Sequence, residues 1–157
     1  MRLEYFEMID RFLAVDATAR TIRTACRVPE SSPIFEGHFP GFALMPGVLL
    51  IECMAQTCGW MTSAINRFSG LPALAGVKDA KLREPVFPGH SLEFDGKIIH
   101  DGSGYAMAEC EGRRDGKVVC SAALTYRIIA YPSDVFRQTM LQRARELAFP
   151  IEEFLGE

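Results

Sequence analysis

The sequence predicts an α+β fold in which an antiparallel sheet wraps around one long buried helix. From Val48 to about Phe68 the chain is apolar around nearly the whole helical circumference, which is typical of a helix buried in a core. After residue 73 the pattern changes to short alternating runs separated by glycine-containing turns, which is typical of strands. A strand, a long helix and a meander of strands in this order favour the α+β class. The 157 residues fit one domain with a sizeable core.

Before the long helix, the sequence predicts a short helix, a strand and a loop. Residues 2–9 alternate charged and apolar positions, as in a short helix that packs one face. Residues 21–28 alternate at period two, as in a half-buried strand. The prolines and serines of residues 29–33 end that strand, and a loop follows. Pro46 suits the first turn of the long helix, and the Gly-Leu-Pro of residues 70–72 ends it.

Four further strands are predicted after the helix. They span residues 73–80, 91–100, 104–113 and 117–129. Asp115-Gly116, between the last two, is a good hairpin signal because both residue types tolerate a left-handed backbone.

A C-terminal extension follows the sheet. Pro132 closes the sheet, and Ser133 is suited to be the N-cap of a helix that runs to about Ala148. The apolar face of that helix carries Phe136, Met140, Ala144 and Leu147. We therefore divide the chain into a domain at 1–131 and a helical extension at 132–157. The apolar face predicts packing on the protein's own sheet, on a partner subunit or over part of a functional site.

Charge and composition argue against two classes of partner. The 17 Lys and Arg and 20 Asp and Glu give a net charge of −3 without any basic run, so there is no general attraction to nucleic acid. The segment Met1–Glu7 carries acids where a signal peptide would be basic and then apolar. No apolar run is expected to act as a membrane span of ~20 residues. The sequence thus predicts a cytoplasmic protein.

The five cysteines form no CxxC pair and lie among apolar residues. An odd number of cysteines without a secretory signal predicts buried free thiols in a reducing compartment. Metal binding is the alternative, but the spacing does not match that of ligand sets. We therefore predict no metal site.

The pair His38 and Glu52, fourteen residues apart, is the strongest indication of chemistry. His38 lies on a turn bounded by glycine and proline, and imidazole titrates near neutral pH in general. Glu52 lies inside the apolar helix, where a carboxylate is costly unless something uses or pairs it. Proton transfer needs one group of each kind. The alternatives are a solvated loop histidine and a core carboxylate paired with an arginine.

The residues around this pair resemble a known family. The segments that carry the resemblance are Phe35-Glu36-Gly37-His38-Phe39-Pro40-Gly41, Met45-Pro46-Gly47-Val48-Leu49, Glu52-Cys53-Met54-Ala55-Gln56 and residues 76–89. They closely resemble the β-hydroxyacyl-acyl carrier protein dehydratases of the FabZ type, in order over roughly residues 1–129. The resemblance implies a hotdog fold, in which a sheet wraps one helix. It also implies removal of water from a (3R)-hydroxyacyl thioester to give the trans-2-enoyl thioester.

The same resemblance implies a role for each site residue. His38 would take the proton from C2, and Glu52 of a partner subunit would protonate the departing hydroxyl. The N–H of Gly47, at the start of the helix, would donate to the thioester carbonyl. Gln56, one turn after Glu52, could orient its carboxylate. Gly47 as a plain turn glycine and Gln56 as an ordinary polar helix residue are the alternatives.

The implied partners are an acyl carrier protein, whose phosphopantetheine arm carries the substrate, and a second copy of the chain. Family members form homodimers with shared active sites and commonly assemble into trimers of dimers. No metal, nicotinamide or flavin is required. An acidic carrier predicts a basic rim at the entrance. The candidates for this rim are Lys78, Lys81, Arg83, Arg113, Arg114 and Arg127, each of which could instead be a solvated surface charge.

Three departures from the usual family pattern bear on the substrate. Phe42-Ala43 replaces a polar-Pro step after Gly41, His90 stands where an acid is common, and about 27 residues follow the usual end of the family near residue 130. Residues 3–11 and 101–104 are similar to a specialised subgroup that makes very-long-chain acyl groups for lipid A. A hotdog acyl thioester hydrolase and a non-catalytic carrier-binding subunit are the competing functions.

Overall fold

Six strands form one antiparallel sheet in the computed structural model of the protein, which describes residues 1–156. In chain order the strands are β1 Arg11–Asp16, β2 Thr21–Arg27, β3 Leu71–Leu82, β4 Ser91–Gly102, β5 Tyr105–Arg114 and β6 Lys117–Ile129. Their order in the sheet is β1-β2-β4-β5-β6-β3, which leaves β1 and β3 at the two edges. The last residue of the predicted extension, Glu157, lies outside the described residues.

The sheet wraps around one long helix, as the sequence predicts. The helices are α1 Pro33–Gly37, α2 Gly47–Ile65, α3 Asp134–Glu146 and α4 Glu152–Leu155. Within residues 1–156, α2 is the one helix long and apolar enough to cross a membrane, with a mean hydropathy of 1.3. However, 67% of that stretch is buried in the fold, as expected of the core helix of the sheet. Met54 and Met61 are fully buried there.

The edge strand β3 exposes apolar side chains on the helix side of the sheet. Leu74, Val77 and Leu82 pair in register with the inward-facing Tyr126, Leu124 and Cys120 of β6. Residues directly opposite in a ladder share a face. The three are nevertheless 42%, 38% and 49% exposed, because β3 has a neighbour on one side only. An exposed apolar edge of this kind is a ready pairing surface.

The hairpin between β5 and β6 confirms the turn prediction. Asp115 and Gly116 have φ angles of 50° and 78°, so both central residues lie in the left-handed region. A two-residue turn of this kind matches the twist of the flanking strands. The hairpin therefore fixes the register of β5 against β6, beginning with Arg114 opposite Lys117.

Three local predictions before and within α2 are wrong. Residues 2–9 contain only a 3₁₀ turn at Leu3–Tyr5, and β1 was not predicted. The expected loop after Pro33 contains α1, which Ser32 caps by accepting a hydrogen bond from the Ile34 N–H at 3.3 Å. The helix α2 ends at Ile65 rather than near residue 68.

The C-terminal extension packs on the core of its own chain. The Oγ of Ser133 accepts a hydrogen bond from the Phe136 N–H at 3.1 Å, so the predicted N-cap is confirmed. Of the predicted apolar face, Ala144 is fully buried, while Leu141 takes the second buried position. Beyond α3, the ring of Phe149 lies 4.9 Å from Phe12 and 5.9 Å from Trp60, measured between centroids.

Candidate active site

His38 follows the short helix α1 and is held almost entirely by backbone atoms. Its N–H donates to the Ile34 carbonyl at 3.1 Å, and its carbonyl accepts from the Leu44 N–H at 2.9 Å. The ring Nδ1 lies 2.8 Å from the Leu44 carbonyl oxygen. Because a carbonyl can only accept, Nδ1 must carry the proton and donate. Nε2 is then the nitrogen that can act as a base.

The loop after His38 is closed by its own hydrogen bonds. Phe39 and Phe42 each donate their N–H to the other's carbonyl at 2.8 Å. The Phe42 ring meets the Phe87 ring edge-on at 5.8 Å between centroids. The Phe39 ring stacks on the imidazole of His38 at 4.3 Å between centroids. The side chain of Phe42 thus packs the loop onto the segment that precedes β4.

Glu52 lies on the wall of a cavity of about 260 Å³ between α2 and the edge of the sheet. Its Oε1 accepts a hydrogen bond from Nε2 of Gln56 at 2.9 Å. The same amide nitrogen donates to the Phe6 carbonyl at 2.6 Å, and the Met8 N–H donates to the Gln56 Oε1 at 3.3 Å. The amide of Gln56 is therefore fixed in one orientation by the N-terminal segment. It holds the carboxylate of Glu52 in turn.

No described cation neutralises Glu52. Among residues 1–156, its carboxylate forms no ion pair with a lysine, an arginine or the imidazole of His38, and the amide of Gln56 is its hydrogen-bond partner. Glu52 is therefore not a core carboxylate paired with an arginine. A half-buried acid held by a neutral amide remains free to exchange a proton with a ligand.

The cavity beside Glu52 is mostly apolar. Its lining consists of Glu52, Ala55, Gln56, Gly59, Trp60, Ser63, Leu71, Pro72, Leu74, Tyr126 and Met140. The Tyr126 hydroxyl donates to the Ala55 carbonyl at 2.7 Å, and burial raises the pKa of Tyr126 well above its ordinary value. Tyr126 is therefore neutral near pH 7. Among these lining residues, only Glu52 has a side chain that can carry a charge near pH 7.

Gly47 begins α2, next to the loop of His38. Pro46 precedes it and offers no side-chain acceptor, so the first N–H groups of the helix have no cap. Gly47 and Leu44 line one shallow depression of about 240 Å³, together with Arg83. A methyl group at Gly47 would meet only the end of the Leu82 side chain, which can move. The arrangement presents free N–H donors and the positive end of the helix dipole to this depression.

The predicted site residues form two groups within one chain. Glu52 and Gln56 line the cavity along α2, whereas Gly47 and the Leu44 that holds His38 line the depression at the start of α2. His38 itself lines neither of them and is connected to the depression through its hydrogen bond to the Leu44 carbonyl. Within the described residues, no hydrogen bond or ion pair joins His38 to Glu52.

Three of the six candidate cations lie on the outer face of the sheet. Arg127 pairs with Ala73, Lys78 with Ala123 and Lys81 with Ser121. These positions alternate with the inward-facing residues of β3 and β6, so their side chains point away from α2. Lys78, Lys81 and Arg127 are exposed.

The other three candidate cations contact side chains of the same chain, and one of them also lines the depression of Gly47. Arg113 lies 2.6 Å from Glu111 and 3.5 Å from Asp95, measured between nitrogen and oxygen atoms. Arg114 lies 3.6 Å from Glu84 and its Nη1 lies 3.1 Å from the His90 Nδ1. Arg83 donates to the Ser121 hydroxyl at 2.8 Å and lines the depression of Gly47. The six therefore do not form one basic rim, and Arg83 is the one next to the site.

The five cysteines are all free and buried, as the sequence predicts. Hydrogen bonding to Cys26 and burial raise the pKa of Cys53, and the same causes involving Cys58 raise that of Cys110. Burial raises the pKa of Cys120 to about 11. Neutral thiols are poor nucleophiles. Within residues 1–156, no three His, Cys, Asp or Glu side chains converge as a metal site would require.

Several contacts that build the site could not be found from the sequence. The Leu44 carbonyl, the Phe6 carbonyl and the Met8 N–H are backbone groups, which every residue type provides, so no residue pattern marks them. Met140 was predicted only as part of an apolar helix face, yet it lines the cavity of Glu52. Helical periodicity predicts a face but not what that face touches.

Structural similarity supports the fold. The dehydratase heterocomplex ApeI:P from Xenorhabdus doucetiae matches with a TM-score of 0.63 and 17% identity, covering 87% of this chain and 90% of that chain. A protein from Streptococcus mutans, solved bound to acetyl CoA, matches with a TM-score of 0.59 and 14% identity, covering 78% of this chain and 90% of that chain. At these identities the likeness shows the fold alone, and the predicted hotdog fold is confirmed.

Sequence similarity shows the family. The FabA-like domain family matches residues 2–123. The 3-hydroxyacyl-[acyl-carrier-protein] dehydratase FabZ of Fusobacterium nucleatum is 37% identical over 124 residues, which cover 78% of this chain and 86% of the relative. The protein of the same name from Thermus thermophilus is 36% identical over 126 residues, which cover 77% and 85%. The chain therefore belongs to the FabA-like family, among the dehydratases of the FabZ type.

Proposed function

We propose that the protein removes water from (3R)-hydroxyacyl thioesters on an acyl carrier protein and releases trans-2-enoyl thioesters, as a step of fatty acid biosynthesis. The observation that carries the proposal is the pair of half-sites, one at the start of α2 and one along it. One supplies an imidazole with a free Nε2, and the other supplies a carboxylate held by a neutral amide without any cation. Family membership and the names of the relatives support the same reaction.

In the first half of the reaction, His38 removes a proton from C2 of the substrate. Nε2 accepts that proton, and the Leu44 carbonyl stabilises the resulting imidazolium through Nδ1. Because C2 is only weakly acidic, the thioester carbonyl must be polarised as negative charge develops on it. The N–H of Gly47, at the uncapped start of α2, is suited to donate to that oxygen.

In the second half, Glu52 gives a proton to the hydroxyl group on C3. The C3–O bond breaks, the electron pair of the former C2–H bond forms the C2–C3 double bond, and water leaves. The proton taken by His38 is later returned to Glu52 through solvent. No electron is gained or lost overall, so the reaction needs no redox cofactor.

Two copies of the chain are needed to complete the site. The cavity of Glu52 and the depression of Gly47 and Leu44 share no lining residue, and no described hydrogen bond or ion pair joins His38 to Glu52. The unpaired edge β3 adjoins both, with Leu74 at the cavity and Leu82 at the depression. Pairing this apolar edge with a second copy would cover it and bring the partner's Glu52 to His38. A trimer of such dimers is the assembly that the family resemblance favours.

The test uses two inactive variants and their mixture. Either His38→Ala or Glu52→Gln should lower kcat/KM by about 10²–10⁴-fold, measured as absorbance of the enoyl thioester. Co-expression of the two variants should restore about a quarter of the activity, since half of the dimers are mixed and each mixed dimer has one intact site of two. Mixed dimers without activity would exclude a shared site, and full activity of His38→Ala would exclude the mechanism.

The same assay separates this function from an acyl thioester hydrolase. A hydrolase releases free thiol from the substrate, whereas a dehydratase produces the enoyl thioester and leaves the thiol bound. A non-catalytic subunit would produce neither. The intact His38 and Glu52 argue for turnover.

The carrier and the acyl length are a finer part of the proposal. We expect an acidic acyl carrier protein to approach the depression at Gly47, because Arg83 lines it and the carboxylate of Glu84, which also lines it, is paired with Arg114 and Lys117. The similarity of residues 3–11 and 101–104 to the lipid A subgroup favours very long acyl chains on a dedicated carrier in the cytoplasm. Turnover of hydroxyacyl thioesters of graded length, each on a general and on a dedicated carrier, tests this part.

A further inference from the structure

One wall of the cavity of Glu52 comes from the C-terminal extension. The lining runs along α2 from Glu52 to Ser63, which is about 16 Å along the helix axis at 1.5 Å per residue. One residue of α3, Met140, also lines the cavity.

Two contacts show how α3 runs past this cavity. The Nε of Arg137 donates to the Phe68 carbonyl at 2.9 Å, just beyond the C-terminal end of α2. The Nη2 of Arg143 lies 3.9 Å from a carboxylate oxygen of Glu7. Met140, midway between these two arginines in α3, therefore lies between the end of α2 and the N-terminal segment.

The wall that carries Met140 is firmly held. Leu141 and Ala144 anchor α3 in the core with exposures of 5% and 0%. The Phe149 ring packs 5.9 Å from that of Trp60, which itself lines the cavity. Met140 is only half-buried and is not one of these anchors. Its side chain can thus be changed without removing what holds α3.

We propose that Met140, the wall residue that α3 contributes, narrows the acyl-binding cavity and determines which acyl lengths the enzyme accepts. The inference rests on the proposed dehydratase function, because it takes the alkyl chain of a hydroxyacyl thioester as the ligand. Trp60, Leu71, Leu74 and Met140 offer that chain an apolar surface. The volume of about 260 Å³ holds roughly nine groups the size of a water molecule or a methylene. A longer chain has to move Met140 or pass beside it.

Met140 lies outside the part of the chain that the family shares. The FabA-like match ends at residue 123, while α3 begins at Asp134. The chemistry of the half-sites therefore lies within the shared residues. One wall of the cavity is contributed by a residue outside that match. A length limit set there can differ from that of relatives without any change to His38, Gly47 or Glu52.

The test compares the length profile of the wild type with those of two variants. Met140→Ala should raise kcat/KM for chains longer than the cavity, and Met140→Trp should lower it. Each change should amount to about tenfold or more relative to short chains, the usual effect of gaining or losing methylene contacts in an apolar pocket. Gln138→Ala, on the exposed side of α3, is the matched control and should keep the wild-type profile.

The outcomes are distinguishable from failure of the proposed function. If the wild type turns over no hydroxyacyl thioester of any length, the dehydratase proposal fails. If it turns over short chains and both Met140 variants keep its length profile, the role of Met140 is overturned while the dehydratase stands.

A second measurement uses the unaltered protein and does not depend on the variants folding. A hydroxyacyl pantetheine amide whose alkyl chain ends in a diazirine is photolysed in the cavity, and the protein is then digested with trypsin. Labelling of the peptide Gln138–Arg143, reduced by competing short-chain ligand, supports the proposal. Labelling confined to peptides of α2 and β3 overturns it.

Discussion

The two ends of α2 have contrasting surroundings. At its start, no side chain caps the helix, and Gly47 lines an open depression. The loop of His38 next to it is held by backbone hydrogen bonds. Around its end, aromatic rings of Trp60, Phe68 and Phe149 pack together beneath α3. The first arrangement positions polar groups for a reaction, and the second contributes apolar burial. Mutations at the two ends should therefore separate activity from stability and from chain-length preference.

The largest effect is expected at the reactive end. Replacing His38 by alanine should lower kcat/KM by about 10³-fold, because the step loses its general base. The unfolding midpoint should change little, since the ring is half-buried, stacks on Phe39 and makes one hydrogen bond, to a backbone carbonyl. His100→Ala, at an exposed histidine stacked on Tyr105, is the control and should retain activity. A similar loss in both variants would contradict the assignment of His38.

At the other end, the expected loss is in stability. Phe149→Ala should lower the free energy of unfolding by about 3–5 kcal/mol, because the ring is 4% exposed and its removal leaves a void among aromatic neighbours. Denaturant unfolding measures this change. Val135→Ala, at a residue of α3 that is 76% exposed, should cost less than about 0.5 kcal/mol. Equal effects of the two substitutions would mean that the extension does not stabilise the core.

A buried thiol of the sheet, that of Cys120 on β6, predicts a loss of stability at high pH. The pKa of Cys120 is raised from 9.0 to about 11 by burial, so the folded state keeps a proton that the unfolded chain releases. The stabilisation is fully present below pH 9 and disappears as the pH rises to 11, by about 3 kcal/mol for this group. Denaturant unfolding at a series of pH values measures it. Cys120→Ala should show a shallower decline, and an unchanged decline would exclude this cause.

The smallest expected effect concerns the positioning of the acid. Gln56→Ala removes the amide that holds Glu52, and it should lower kcat by about tenfold with little change in KM, as for the loss of one hydrogen bond. Gln142→Ala, which removes an exposed amide that donates to Glu146 at 3.2 Å, is the matched control. Steady-state kinetics and the pH profile of kcat distinguish positioning from a folding defect. An increase in KM alone would instead assign Gln56 to substrate binding.

The sequence predicts the long helix, the antiparallel strands and the C-terminal helix because their patterns extend over eight residues or more. It does not predict β1, whose residues Phe12 to Val15 are apolar without alternation and which lies at an edge with one neighbour. The helix α1 could have been predicted, since Ser32-Pro33 is an N-cap followed by proline at the first helical position. The same prolines were instead interpreted as the end of a strand.

For the site, the sequence predicts residue types but not their relation in space. His38, Gly47, Glu52 and Gln56 are recognisable from the motif, and the structure adds the Leu44 carbonyl that sets the imidazole tautomer. For the candidate cations, the sequence does not predict on which face of the sheet each side chain lies. Lys78 and Lys81 were candidates for the same rim as Arg83, but the strand pleat directs them to the outer face. Register decides such questions, and bulges in β3 make the register impossible to count from the sequence.

The amide of Gln56 has a consequence for handling the protein. Because the Phe6 carbonyl and the Met8 N–H hold that amide, the geometry of the acid depends on backbone groups far from it in sequence. Cleavage of the chain just after residue 8 would leave both catalytic side chains intact and still impair proton delivery. Preparations cleaved there should therefore have lower specific activity than uncleaved protein.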